Sequence, residues 1–121
     1  MTQEDKELLF KDLCMRLPYG VIMTNKKFTK THYPLTCEDL RDAMFDESWD
    51  DVPYLRQIMS MTEKEDNDYR STWRLVEHGD IEDTYEPRIE SYDWLNANHF
   101  DYRGLIERGL ALEAPSNMYN N

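Results

Sequence analysis

The chain has 121 residues, 40% of them hydrophobic and 12% aromatic, which suffices for one hydrophobic core and is too apolar for intrinsic disorder. Its 25 acidic and 14 basic residues give a net charge of −11, which disfavours binding to nucleic acid or to an anionic membrane surface. The segment from Glu38 to Glu90 holds 17 acidic and 6 basic residues, so it carries the whole charge excess. This acidic middle could attract a basic partner, or it could serve only to keep the protein soluble.

The cysteine content and the N-terminus bear on the cell compartment. Cys14 and Cys37 are too few for a disulfide-stabilised secreted domain and form no C-x-x-C pair, so we expect buried free thiols. The acidic, polar N-terminus is unlike a signal peptide, and no stretch approaches the roughly 20 apolar residues of a membrane-spanning helix. The sequence therefore predicts a cytoplasmic protein with no membrane contact.

The first half of the chain predicts a helix, a β-hairpin and a further short element. Thr2 can cap the helix, and Pro18 ends it. Thr36 is a second candidate cap, and the segment after it fits either a short helix or a strand and turn. The predicted elements are a helix at 3–17, strands at 21–24 and 28–33, the open segment at 37–45 and an extended run at 52–56.

The second half predicts mainly helices. Thr62 and Glu65 have capping-box spacing, and the helix that they start is predicted to reach Glu77 and to end at the next glycine. Asp101 is predicted to cap another short helix, inside which Gly104 would allow an aromatic ring to pack closely on the backbone. The remaining predicted elements are an acidic surface loop at 80–87, a helix at 89–98, the short helix at 102–108 and a closing strand at 110–114.

Together these elements predict one α+β domain over residues 1–115. Its short antiparallel sheet would pack against about three to five helices. Residues 116–121 are polar and are predicted to form a C-terminal tail that frays.

Four segments carry a pattern that points to relatives: Tyr54–Arg56, Ser60–Glu65, Asp93–Ile106 and Gly109–Pro115. The pattern resembles a group of small proteins common in gut Bacteroidetes genomes and in their phages and prophages. That group has no characterised function. The resemblance therefore implies a mobile-element context and supplies no activity, catalytic residue or ligand.

His99 is the first of three candidate binding residues. It lies two residues before Asp101, and with Asp93 and Glu90 it could form a metal site or an acid–base pair, as in a small metal-assisted hydrolase. One histidine with scattered acids makes a sparse ligand set. The structural alternative is that Asp101 caps a helix while the His99 ring bonds to backbone.

Arg103 and Arg56 are the other two candidate binding residues. Arg103 could face an anionic ligand, and the structural alternative there is close packing at Gly104. Arg56 could lie at a cleft, but in an acidic chain a fixed arginine more often pairs internally, here with Asp93 or Asp101. The sequence has no glycine-rich phosphate loop, no G-x-S-x-G and no H-E-x-x-H, so it predicts no cofactor, no bound metal and no catalytic residue.

The charge distribution favours a non-enzymatic interaction module that binds a basic partner surface. The metal-assisted hydrolase is the alternative, and a structural or assembly role is a third hypothesis. The carboxylate clusters lack the D-x-D-x-D-G spacing of a calcium loop. The predicted acidic partner surface consists of Asp46, Glu47, Asp50, Asp51, Asp80, Glu82 and Asp83.

Overall fold

The structure is a computed structural model that describes residues 1–119. Within this range it contains four α-helices and seven β-strands, which confirms the predicted α+β class. The helices are α1 (Gln3–Arg16), α2 (Cys37–Phe45), α3 (Glu63–Arg70) and α4 (Ile89–Ala97). The strands are β1 (Ile22–Asn25), β2 (Phe28–Pro34), β3 (Asp51–Gln57), β4 (Arg74–His78), β5 (Ile81–Glu86), β6 (Phe100–Asp101) and β7 (Leu112–Glu113).

The main sheet has the strand order β2–β1–β3–β6, and β7 also pairs with β3. The β1–β2 and β1–β3 pairs are antiparallel, whereas β6 and β7 both run parallel to β3. The sheet is therefore mixed, where the sequence predicted an antiparallel one. The parallel pairs form because a long crossover containing α3 and α4 separates β3 from β6, and a crossover permits parallel pairing.

The hydrophobic core joins α1 to the main sheet. Leu9 and Leu13 of α1 are buried in one cluster with Met23 of β1 and Leu55 of β3, and Leu105 of the C-terminal region completes it. Within residues 1–119 no helix combines the length and the apolar character needed to cross a membrane.

Three threonines begin helices as the sequence predicts. Thr2, Thr36 and Thr62 each accept a backbone amide hydrogen bond from the third helical residue, whose carboxylate accepts one in return. The cap at Thr36 starts α2, which resolves the open alternative in favour of a helix.

The helix that Thr62 begins is shorter than predicted. It ends at Arg70, and the chain then forms the β4–β5 hairpin through a turn in which Gly79 has φ of 70°. The hydroxyls of Ser71 and Thr72 donate to carbonyls of the last helical turn, which competes with further helix formation. The predictions of helix as far as Glu77 and of a loop at 80–87 are therefore wrong.

The segment after β6 also differs from its prediction. Residues 102–104 are irregular and residues 105–109 form turns, where a helix was predicted at 102–108. Gly104 has φ of 72°, in the left-handed region, which is incompatible with a continuous helix. Apart from its two chain neighbours, no residue has a heavy atom within 4 Å of the position that a Cβ at Gly104 would take, so close ring packing does not explain this glycine. Its backbone conformation does.

The C-terminal segment and the cysteines correct two further expectations. The tail predicted to fray after Pro115 is docked at Tyr119, whose hydroxyl bonds to backbone groups of β1 and β3. The part of that prediction that concerns residues 120–121 lies outside the described range. Cys14 and Cys37 are free thiols as expected, but both are exposed instead of buried.

Candidate functional site

His99 lies in the link between α4 and β6 and is a buried, neutral imidazole. Its φ is 64°, its residue exposure is 8%, and its ring stacks on Tyr119 with 3.8 Å between centroids. Burial lowers the pKa of His99 to about 4, and the charges of Arg16 and Arg56 act in the same direction. Its Nδ1 has no hydrogen-bond partner within the described range, so the expected bond from this ring atom to backbone is not made.

Asp101 acts as a cap, although the element that it caps is a loop. Its carboxylate accepts hydrogen bonds from the backbone amides of Arg103, Leu105 and Ile106 at 3.0–3.3 Å. Among residues 1–119 no three or more His, Cys, Asp or Glu side chains are grouped so as to hold a metal ion. The structure thus gives Asp101 a structural role.

Arg56 pairs internally, with a partner that the sequence did not suggest. Its Nη1 lies 2.8 Å from Glu65 Oε2, and its guanidinium lies 4.1 Å from the centroid of the Phe100 ring. Burial raises the pKa of Glu65, but hydrogen bonds from Thr62 and Arg56 outweigh it, so the pKa of this carboxyl is lowered overall. Arg56 lines a groove of about 650 Å³, where its charge is matched by Glu65.

Arg103 belongs to a charge network that sequence reasoning missed. Its Nε donates to Asp12 Oδ1 at 3.1 Å, and Arg16 donates to the same carboxylate at 2.6 and 3.2 Å. The side chains of Asp12 and Arg16 are fully buried. The i, i+4 spacing of Asp12 and Arg16 was the available signal, but such pairs usually lie on the exposed face of a helix.

The seven acidic residues of the predicted partner surface fall into two groups. The first, at 46–51, runs from the loop after α2 to Asp51, the first residue of β3, which is half-buried and accepts hydrogen bonds from Asn25 and Tyr33. Hydrogen bonds from Ser48 lower the pKa of Asp46. The second group, at 80–83, lies on the β4–β5 hairpin, which is a separate sheet. The seven predicted residues are therefore divided between two separate elements of the fold.

The β4–β5 hairpin, residues 74–86, forms an arm that is exposed on both faces. Val76 is the one half-buried residue of its strands, and the other strand residues are exposed. The base of the arm is fixed. Thr72 Oγ1 and Ser91 Oγ share a 2.8 Å hydrogen bond, and Arg88 Nε donates to the Thr72 carbonyl at 2.7 Å.

The arm combines exposed apolar side chains with negative charge. Leu75 lies directly opposite Tyr85 in the strand register, and these residues are 47% and 65% exposed, while Ile81 is 69% exposed. Residues 74–86 contain five carboxylates and one arginine. An isolated two-stranded hairpin is marginally stable in water, so a contact that covers these side chains would be favourable.

The chain matches no protein-family model, and comparisons with curated proteins and with solved structures find no match.

Proposed function

We propose that this protein is a non-enzymatic interaction module that binds a basic surface of a partner protein through the β4–β5 arm. The observation that carries the proposal is the exposure of the Leu75–Tyr85 pair on a strongly acidic hairpin. Apolar side chains at the centre of a contact supply affinity, and charges around them supply selectivity and a fast association rate.

The charge of the arm supports a basic protein as the partner. Two copies of the arm would bring five carboxylates against five, which disfavours self-association through this face. Nucleic acid is disfavoured by the same repulsion. A partner surface rich in lysine or arginine, with apolar side chains at its centre, complements both properties of the arm.

The rigid base of the arm also supports this function. Because Thr72, Arg88 and Ser91 are hydrogen-bonded to one another where both ends of the hairpin join the fold, we expect the arm to lose little conformational freedom when a partner binds. The resemblance to small proteins of gut Bacteroidetes and their phages supports a phage, prophage or mobile-element setting, with a host or phage protein in the cytoplasm as the partner.

Affinity capture from a host lysate with matched charge variants tests the proposal. The arm variant carries Glu82→Gln, Asp83→Asn and Glu86→Gln, and the control removes the same charge from the other group through Asp46→Asn, Glu47→Gln and Asp50→Asn. We expect the wild type and the control to retain a basic protein that the arm variant loses. Retention should fall between about 0.1 M and about 1 M NaCl, because the Debye length shortens from about 10 Å to about 3 Å.

Two results would contradict the proposal. One is the absence of any salt-sensitive basic partner from lysates of hosts that carry the gene. The other is equal loss of the partner from both variants, which would mean that net charge alone, and not the arm, determines binding.

A further inference from the structure

A second surface lies between α1 and α4, and its chemical character differs from that of the acidic arm. It is an open cleft of about 440 Å³, lined also by Tyr102 and Arg103. Small-molecule sites generally have volumes of about 300–1,000 Å³, with mostly apolar walls and a few placed polar groups. This cleft has both properties.

The walls of the cleft are apolar and aromatic. Tyr92 of α4 and Tyr102 contact each other with 5.4 Å between ring centroids and a 54° angle between ring planes. Met15 of α1 and Ile89 of α4 also line the cleft, and both side chains are exposed. A planar apolar molecule placed here would cover exposed side chains and gain ring contacts.

Arg103 places a positive charge in the lining of the cleft. The Arg103 guanidinium lies 5.0 Å from the centroid of the Tyr102 ring, its Nε is bonded to the buried Asp12, and its side chain is 21% exposed. Because Arg16 also pairs with Asp12, one buried carboxylate faces two guanidinium groups. The group formed by Asp12, Arg16 and Arg103 therefore carries a net charge of +1.

The remaining charged groups of the cleft limit the charge of its ligand. Lys11 of α1 adds a second positive charge, and Asp93 of α4 adds one negative charge. A single carboxylate is complementary to this arrangement. A polyphosphate is not, because Asp93 and the net charge of −11 would repel its additional charges.

We propose that the α1–α4 cleft binds a small planar aromatic carboxylate. The carboxylate bonds to Arg103 and Lys11, and the ring lies against Tyr92 and Tyr102. The cleft contains no residue of the β4–β5 arm, so ligand binding there can be tested independently of the proposed partner binding.

Titration with 2-naphthoate, followed by amide chemical shifts in ¹H–¹⁵N NMR spectra, tests the site. We expect saturable shifts at Met15, Tyr92 and Tyr102, and affinity at least about tenfold weaker for the neutral isostere 2-naphthamide, equivalent to about 1.4 kcal/mol. Lys11→Glu should weaken 2-naphthoate binding by at least about tenfold, and Lys27→Glu, the same charge change at an exposed turn, should leave it unchanged.

Three outcomes would overturn the proposal. They are no saturable shift with 2-naphthoate at about 1 mM, equal affinity for the amide, and shifts centred on other exposed apolar residues such as Phe45 or Met59. Lys11 is exposed on α1, so its replacement leaves the fold intact and the comparison with Lys27→Glu remains valid.

Discussion

Tyr119 stacks on His99 with the two ring planes only 16° apart, which joins the C-terminal segment to the link between α4 and β6. The stack covers an imidazole that the fold keeps neutral, since burial is the largest cause of its low pKa and the nearby Arg16 and Arg56 add to it. The Tyr119 ring is therefore part of the buried environment of His99.

The first prediction is a loss of stability in mild acid. The pKa of His99 is about 4 in the folded state and 6.5 in a model peptide. Between these two pH values His99 is therefore mainly protonated in the unfolded chain and mainly neutral in the folded chain. The free energy of unfolding therefore has its full His99 contribution above pH 6.5. It falls as the pH drops from 6.5 to about 4, by at most roughly 3 kcal/mol. Urea unfolding at a series of pH values measures this slope.

Two single variants test this prediction, one with His99 replaced by asparagine and one, the control, with His32 replaced by asparagine. Asparagine tolerates positive φ, so His99→Asn removes the titrating group without forcing the backbone to change. The pH slope between about 4 and 6.5 should flatten in His99→Asn and persist in His32→Asn, where the exposed histidine is replaced. An unchanged slope in His99→Asn would assign the acid sensitivity to other groups.

The second prediction concerns the hydroxyl of Tyr119. It accepts a hydrogen bond from the Ile22 amide at 3.0 Å and donates to the Tyr54 carbonyl at 2.7 Å, so it links β1 to β3. Tyr119→Phe should lower the free energy of unfolding by about 1–3 kcal/mol, because two backbone groups lose a partner. Tyr85→Phe, at an exposed position on the arm, should change it by less than about 0.5 kcal/mol. Similar losses in both variants would show that the Tyr119 hydroxyl does not hold the tail.

The third prediction concerns the buried network around Asp12. Asp12→Asn leaves the Arg16 guanidinium, fully buried, without a counter-charge, and should lower the free energy of unfolding by about 3–5 kcal/mol. Asp68→Asn breaks the exposed i, i+4 pair with Lys64, where we expect a loss below about 0.5 kcal/mol. Chemical denaturation of both variants at one pH gives the comparison. A small loss in Asp12→Asn would mean that Arg16 is accessible to water.

Local signals in the sequence predicted most helix starts and the β1–β2 hairpin. Thr2, Thr36 and Thr62 act through residues three positions away, so their roles can be inferred from spacing alone. The ends of elements were less predictable. The aromatic Trp73 continued the apparent helical stripe of Tyr69, and only the hydroxyls of Ser71 and Thr72 indicate that the helix stops first.

The long-range contacts of the candidate site could not be predicted from the sequence. Arg56 was expected to pair with Asp93 or Asp101, but it lies beside Glu65, and Arg103 lies beside Asp12, 91 positions away. Several carboxylates were equally plausible partners by charge, and only the packing of α1, β3 and α4 selects among them. The acidity of the arm was visible in the sequence, whereas its projection from the main sheet was not.

The fourth prediction tests whether Ser91 holds the arm in place. Its hydroxyl oxygen is bonded to the Arg88 amide at 3.0 Å and to the Thr72 hydroxyl, and the residue is fully buried. Ser91→Ala removes both bonds, so amide hydrogen exchange should become faster throughout residues 74–86, with a global loss of about 1–2 kcal/mol. Ser60→Ala, which removes an exposed serine hydroxyl bonded to the Gln57 carbonyl, should leave exchange in the arm unchanged. If exchange in the arm is as slow in Ser91→Ala as in the wild type, the strands hold the arm without this anchor, and the Ser91 hydrogen bonds are not what keeps the arm ordered.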